Sequence, residues 1–335
     1  MKTLVELYKN HTGKVSDKWD LYLHEYDRLF SPYRTKPISI LEIGIQNGGS
    51  LEIWSKYFVN ANKVIGCDIN QRCAQLKYDD PRIAVIVGDA TSTDAREKII
   101  QQAGIFDLII DDGSHVSGDI VRAFTQYFPM LREGGVFVVE DLHCSYWEEY
   151  EGGIFHPYSS INFFKTLADV VNHEHWGTDR TRGQLLSGFR EEYKLGISDE
   201  WLATIHSIEF INSLCIITKL SAESNCLGMR RIAGRDESIV SGLICLSDSV
   251  AVPPQFSNSW SSFSRSPSEV YQSLNQDLAE RDGQILSLNQ DLAERDRQIS
   301  AILQSTSWRV TAPYRTLGRQ AKRIQRWCRG WCGNC

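Results

Sequence analysis

The sequence predicts an α/β protein built on a doubly wound, mostly parallel sheet with helices on both faces. Three observations carry this expectation. Short apolar runs alternate with helical stretches from residue 38 onward, and that rhythm is the mark of βαβ units. A glycine-rich turn, Gly44 to Gly49, follows the first run and opens a helix. Acidic residues close successive runs, where a parallel sheet binds its ligands. The fold expected is Rossmann-like with seven strands.

The elements follow in order. Residues 1–36 read as a helical segment, with Leu21, Tyr22, Tyr26, Leu29 and Phe30 at helical spacing. Strands are expected over 38–43, 63–68, 83–87, 106–111 and 136–140, and helices over 50–58, 93–102 and 118–132. Two nearly contiguous apolar runs, 205–211 and 213–220, read as an antiparallel hairpin ending the sheet. The α/β domain is therefore placed at 37–222. A Ser/Pro-rich linker follows over 223–268, and ten of the 28 residues from 241 to 268 are serine. Within it, 239–246 has the apolar content of a short strand.

Residues 273–286 (SLNQDLAERDGQIL) recur at 287–300 (SLNQDLAERDRQIS). The period of two heptads places Leu274, Leu278, Ile285, Leu288, Leu292, Ile299 and Ile302 on one seam, interrupted by Arg281 and Arg295. A coiled coil over 269–304, joining copies of the chain, is expected.

The formal charge is −6 over 335 residues. The last 31 residues carry seven cations and no acid, which leaves −13 for residues 1–304. The acidic body argues against a nucleic-acid binder. The basic aromatic tail, 305–335, suits an anionic membrane surface or a glycosyltransferase partner. Nine scattered cysteines, an N-terminus without an apolar core segment and the lack of a long apolar run lead to an expected cytoplasmic location, peripheral to the membrane at most. Cys328, Cys332 and Cys335 have a loose metal-like spacing without a fourth ligand.

Chemistry concentrates in two motifs. In Leu41-Glu42-Ile43-Gly44-Ile45-Gln46-Asn47-Gly48-Gly49-Ser50, glycines allow a sharp turn and close approach of backbone to a ligand. Gln46 stands where a dinucleotide fingerprint has glycine. Asp68 ends the second strand, where an acid meets a ribose diol, and Asp89 ends the third, placed for an adenine amine. This arrangement resembles class I S-adenosylmethionine-dependent methyltransferases. The resemblance implies that Glu42, Gly44, Gly48, Ser50, Asp68, Asp89 and Asp111 bind the methyl donor.

The second motif is Asp111-Asp112-Gly113-Ser114-His115 at the end of the fourth strand, with Glu140-Asp141-Leu142-His143 at the end of the fifth. The fourth and fifth strands are neighbours in such sheets. Asp112, Glu140 and Asp141 therefore converge and would repel unless a hard cation, Mg²⁺ or Mn²⁺, lay among them. His115 is placed to take a proton from an acidified hydroxyl. Taken singly, these acids read equally well as helix caps. Together they are similar to the metal-dependent sugar O-methyltransferases of macrolide tailoring, of the mycinamicin and macrocin type. Thr12-Gly13-Lys14 and the stretch around Tyr146-Trp147 share the likeness, which covers about residues 8–220. By it, Asp112, Glu140 and Asp141 are metal ligands and His115 is the general base. The acceptor is a sugar or glycan hydroxyl, met by His143, Tyr146 and Trp147. A catechol-like acceptor and a non-catalytic scaffold are the alternatives. The tail resembles those of bacterial surface-polysaccharide assembly proteins, which adds an O-antigen-like pathway to the expectation.

Overall fold

In the computed structural model, residues 1–249, 252–258, 261 and 267–331 are described. The chain divides into two units, Met1–Pro267 and Ser268–Cys335. Cys332 and Cys335 lie outside the described residues, as do the side chains of Leu274 and Cys328.

The first unit is a seven-stranded sheet of order β3-β2-β1-β4-β5-β7-β6. Its parallel strands are β1 (Ser39–Ile43), β2 (Lys63–Asp68), β3 (Ile83–Val87), β4 (Phe106–Asp111) and β5 (Leu131–Val139). The expected hairpin is present as β6 (Ile205–Ile211) and β7 (Leu214–Lys219), turning at Asn212-Ser213, and β7 pairs antiparallel with β5. The order reverses between β1 and β4, so the loops after those strands part and leave a crevice.

Alternation along each strand sorts the core into two layers. Leu41, Ile43 and Ile109 face one layer, with Phe124, Phe128 and Phe163 from α5 (Ser117–Tyr127), the turn after it and α6 (Ser160–Val171). Ile40, Leu108 and Ile110 face the other, under α3 (Gly49–Tyr57) and the N-terminal helices α1 (Leu4–Lys9) and α2 (Asp20–Phe30). Tyr26, Phe30, Trp54 and Phe58 interlock there, with the Tyr26 and Phe30 rings stacked at 4.9 Å. Each such buried ring stabilises the fold by about 1.5–3 kcal/mol. The N-terminal segment is thus part of this core.

Three expectations are corrected. The helix expected over 118–132 stops at Tyr127, because Pro129 lies in a 3₁₀ turn, Phe128–Met130, and has no N–H to continue the ladder. The fifth strand therefore starts earlier than expected, at Leu131, which pairs with Phe106. The stretch 239–246 forms no strand; exposed on all sides, it contains only a 3₁₀ turn, Ile244–Leu246.

The second unit is helical: α10 (Pro267–Gln304), α11 (Thr306–Val310) and α12 (Ala312–Trp331). The heptad residues Leu278, Ile285, Leu288, Leu292, Ile299 and Ile302 lie along α10, and all are exposed. Among the described residues, no helix is long and apolar enough to cross a membrane. Between α4 (Thr93–Gln102) and β6 the first unit also holds three short helices, α7 (Arg182–Leu185), α8 (Ser187–Tyr193) and α9 (Asp199–Leu202), that close the α6 layer.

Candidate active site

A cleft of about 270 Å³ opens at the carboxyl ends of β1, β2 and β4. Gly44, Asp68, Asp89 and Asp111 line it, together with Gln46. Gly44 has φ +85°, and a Cβ there would collide with the Asp112 carbonyl, so the turn after β1 can only pass the end of β4 as glycine. Gln46 takes the left-handed conformation at φ +45° that a glycine would occupy in the dinucleotide pattern. Asp68 holds this loop: Oδ2 accepts from the N–H groups of Ile45 at 3.0 Å and Gln46 at 2.8 Å. Asp89 accepts from the Thr91 N–H and hydroxyl, both at 2.8 Å. Burial pushes the Asp111 carboxyl up to about 7. Among the described residues its Oδ2 has no hydrogen-bond partner. A ligand in the cleft would supply that partner.

Glu42, Gly48 and Ser50 do not line the cleft. Glu42 alternates with Leu41 and Ile43 and so points to the α3 side of the sheet, where it accepts from Ser50 Oγ at 2.5 Å. Gly48, at φ +77°, leaves room for the Tyr78 hydroxyl, which donates to its carbonyl at 3.0 Å. These three shape the loop and the start of α3.

Beside the cleft, the ends of β4 and β5 bring the acids together, in two groups. Asp112, His115 and Asp141 each offer one ligand atom within 4.8 Å of the others. His115 Nε2 lies 3.9 Å from Asp112 Oδ1 and 3.7 Å from Asp141 Oδ2. His115 and Asp141 both have positive φ, +59° and +50°. Such backbone costs energy in non-glycine residues and persists where packing enforces it. The second group is Glu42, Asp112 and Glu140. Glu140 therefore shares a group with Asp112 but not with Asp141, whose left-handed backbone just after β5 opens a 3₁₀ turn, Leu142–Tyr146.

Lys18 fills that second group. Its Nζ lies 2.5 Å from Asp112 Oδ2, 2.7 Å from Glu140 Oε1 and 3.3 Å from Glu42 Oε1, with the side chain 2% exposed. Burial alone would lower its pKa; Glu140, Asp112 and Glu42 outweigh that and hold the ammonium well above the usual lysine range. Burial and the facing Asp112 raise Glu140 well above the usual carboxylate range, against Lys18 and Tyr26. Burial likewise raises Asp112, with Lys18 opposing. The repulsion that suggested a metal among all three acids is thus met, for two of them, by a lysine.

The segment carrying Lys18 supplies a donor to each acid. Trp19 Nε1 and the Tyr22 hydroxyl donate to Asp141 Oδ1 at 2.9 and 2.8 Å, and the Tyr26 hydroxyl donates to Glu140 Oε1 at 2.6 Å. Lys14 pins the segment to α3 through Glu52 at 2.6 Å. Sequence reasoning missed Lys18, Trp19 and the hydroxyl roles of Tyr22 and Tyr26. The available signal was two tyrosines, in place of phenylalanine, on the buried face of α2, since a buried hydroxyl needs a partner.

Asp112 and Asp141 each turn a second carboxylate oxygen toward His115, so the outer group has the hard-oxygen chemistry of a Mg²⁺ or Mn²⁺ site. On its outer side His143 Nδ1 bonds the Ser213 hydroxyl, and its ring meets Trp19 at 6.2 Å and Trp147 at 5.0 Å, edge to face. Tyr146 and Trp147 are 43% and 48% exposed. A second cleft of about 380 Å³ runs along Trp19, Tyr22, His143 and Ser213. His173, by contrast, bonds the Arg180 carbonyl at 3.0 Å and serves the fold.

A seven-stranded sheet of this order, with its cleft over the strand ends, is the architecture of a class I methyltransferase domain. In agreement, residues 41–142 match the family model described as a methyltransferase domain. The chain is similar to an 8-demethyl-8-alpha-L-rhamnosyl tetracenomycin-C 2'-O-methyltransferase of Streptomyces olivaceus, with 34% identity over 189 residues, 51% of this chain and 49% of that protein. It is 33% identical over 168 residues, 47% of this chain and 41% of the other, to the mycinamicin VI 2''-O-methyltransferase of Micromonospora griseorubida. The chain thus spans about half the length of the curated relatives it matches. Among solved structures, the MycE methyltransferase of mycinamycin biosynthesis, in complex with Mg and SAH, superposes with a TM-score of 0.55 at 25% identity, covering 73% of this chain and 58% of that one.

Proposed function

We propose that this protein transfers a methyl group from S-adenosylmethionine to a sugar hydroxyl with the help of a divalent cation. The observation that carries the reading is the Asp112–His115–Asp141 group, set between the cleft and an aromatic rim. The relatives named for O-methylation of rhamnosyl and mycinamicin sugars support the acceptor class.

The cleft lined by Gly44, Asp68, Asp89 and Asp111 would hold the donor. Asp112 and Asp141 would hold Mg²⁺ or Mn²⁺, with Glu140 behind them on Lys18. When bound, the cation acidifies the acceptor hydroxyl and fixes its orientation. His115 Nε2 takes the hydroxyl proton. The oxygen attacks the donor methyl in line, the new C–O bond forms, and the C–S bond breaks with its electron pair going to sulfur, leaving S-adenosylhomocysteine. Tyr146 and Trp147 would stack on the sugar, and His143, oriented by Ser213, would bond one of its hydroxyls. The acceptor would belong to a bacterial glycoside or surface-polysaccharide pathway, and the exposed heptad stripe of α10 would join copies of the chain.

The test is product mass analysis of the full chain with donor, Mg²⁺ and a panel of nucleotide sugars, glycosides and catechols. A mass gain of one methylene on a sugar supports the reading. Gain confined to catechols overturns the acceptor class. Failure to bind S-adenosylmethionine by calorimetry overturns the activity.

A further inference from the structure

The α12 helix has two opposed sides. Over its 20 residues, about 30 Å of helix, Tyr314, Leu317, Ala321, Ile324, Cys328 and Trp331 recur at spacings of three and four. At 100° per residue they share one arc. Arg315, Arg319, Lys322, Arg323, Arg326 and Arg329 fall on the other. No acid occurs anywhere from 305 to 335. Tyr314 and Leu317 are 76% and 62% exposed, so this face is open where its side chains are described. The guanidinium of Arg315 lies 3.6 Å over the Trp308 ring, and Arg315 also donates to the Trp308 carbonyl, which ties α11 to the start of α12.

We propose that α12 is a docking surface for an anionic lipid bilayer, on which it lies in the interfacial plane without crossing. The argument is complementarity on both sides of the helix. A bilayer surface takes the apolar and aromatic arc at the acyl boundary and the cationic arc among negative headgroups at once. A nucleic acid would satisfy the cations and leave the apolar arc in water. An acidic protein surface without an apolar groove would do the same. The helix is too polar to span, in keeping with the absence of a membrane-crossing helix among the described residues. None of its residues is among those assigned to methyl transfer, so the proposal stands or falls independently of that reading.

The test is flotation of the full chain with vesicles of phosphatidylcholine alone or mixed with phosphatidylglycerol. Binding to the mixed vesicles only, weakening as salt rises, is expected. Lys322→Glu/Arg323→Glu and, separately, Leu317→Glu should each lower the bound fraction about tenfold or more, since each removes one of the two complementary interactions. Unchanged far-ultraviolet dichroism and S-adenosylmethionine binding would show that the variants fold. No flotation with the mixed vesicles at low salt overturns the proposal. So does flotation that Leu317→Glu leaves intact, because the apolar arc would then be idle. Tight binding of duplex DNA in place of vesicles overturns it in favour of a nucleic-acid surface.

Discussion

Lys18 Nζ lies 2.5 Å from Asp112 Oδ2, although the two residues are 94 positions apart in the chain. The contact joins the N-terminal segment to the end of β4. It fixes which Asp112 oxygen is left for the outer group: Oδ2 is held by the lysine, and Oδ1 turns to His115. Two chemical environments are thereby built from one carboxylate, an inner one closed by an ammonium and an outer one open to a cation.

Removing the ammonium should unbalance the inner group. Lys18→Met leaves Glu42, Asp112 and Glu140 buried around no cation, and the loss of one partner from a buried ionic cluster costs about 3–5 kcal/mol. Urea unfolding should show that loss, and Mn²⁺ should recover part of it by entering the vacated group. A variant as stable as the parent would show that Lys18 is not the resident counter-charge.

Asp112→Asn and His115→Ala should separate cation binding from proton removal. Asp112→Asn should abolish metal-dependent turnover while S-adenosylmethionine binding, read by calorimetry, stays nearly intact, because the donor cleft is lined mainly by other residues. His115→Ala should keep Mn²⁺ affinity within a few-fold and slow turnover by about 10²–10⁴. Full turnover of Asp112→Asn in the presence of chelator would remove the cation from the mechanism.

Gly44→Ala should damage the donor cleft directly. The added Cβ meets the Asp112 carbonyl, and φ +85° is strained for alanine. Donor affinity and thermal stability should fall together, the stability by about 1–3 kcal/mol. Calorimetric titration and thermal unfolding read both, and normal donor affinity in this variant would mean that the turn after β1 does not approach the ligand.

The thiols should divide by burial. Burial pushes Cys67 up to about 12 and Cys144 up to about 11, and holds Cys215 well above the usual thiol range, so near pH 8 these three carry almost no thiolate. Cys226 and Cys245 are exposed. Brief alkylation near pH 8 followed by peptide mass mapping should label Cys226 and Cys245 and spare Cys67, Cys144 and Cys215. Rapid labelling of Cys67 would contradict its place in the sheet.

The order of elements was legible because it is local. Alternating apolar runs and helical stretches follow from side-chain periodicity, and the expected strands over 63–68, 83–87 and 106–111 coincide with β2, β3 and β4. The error over 118–132 had a local cause too: the helical pattern outweighed Pro129, which ends the helix. The convergence of Asp112 and His115 with Asp141 followed from placing acids at neighbouring strand ends.

What the sequence by itself determined was the parallel sheet, the glycine turn and the presence of acids at the ends of β4 and β5. Tertiary structure alone decided which acids face one another. Glu140 and Asp141 are adjacent in the chain, yet they meet different partners, one Lys18 and Tyr26, the other Trp19, Tyr22 and His115. Tertiary structure also decided the role of Lys18. A lysine in a polar stretch reads as solvated, and only the packing of α2 against the second core layer carries it into the carboxylates. The reason is physical: periodicity fixes which way a residue points within its own element, whereas the charges it meets are set by elements that arrive from elsewhere in the chain.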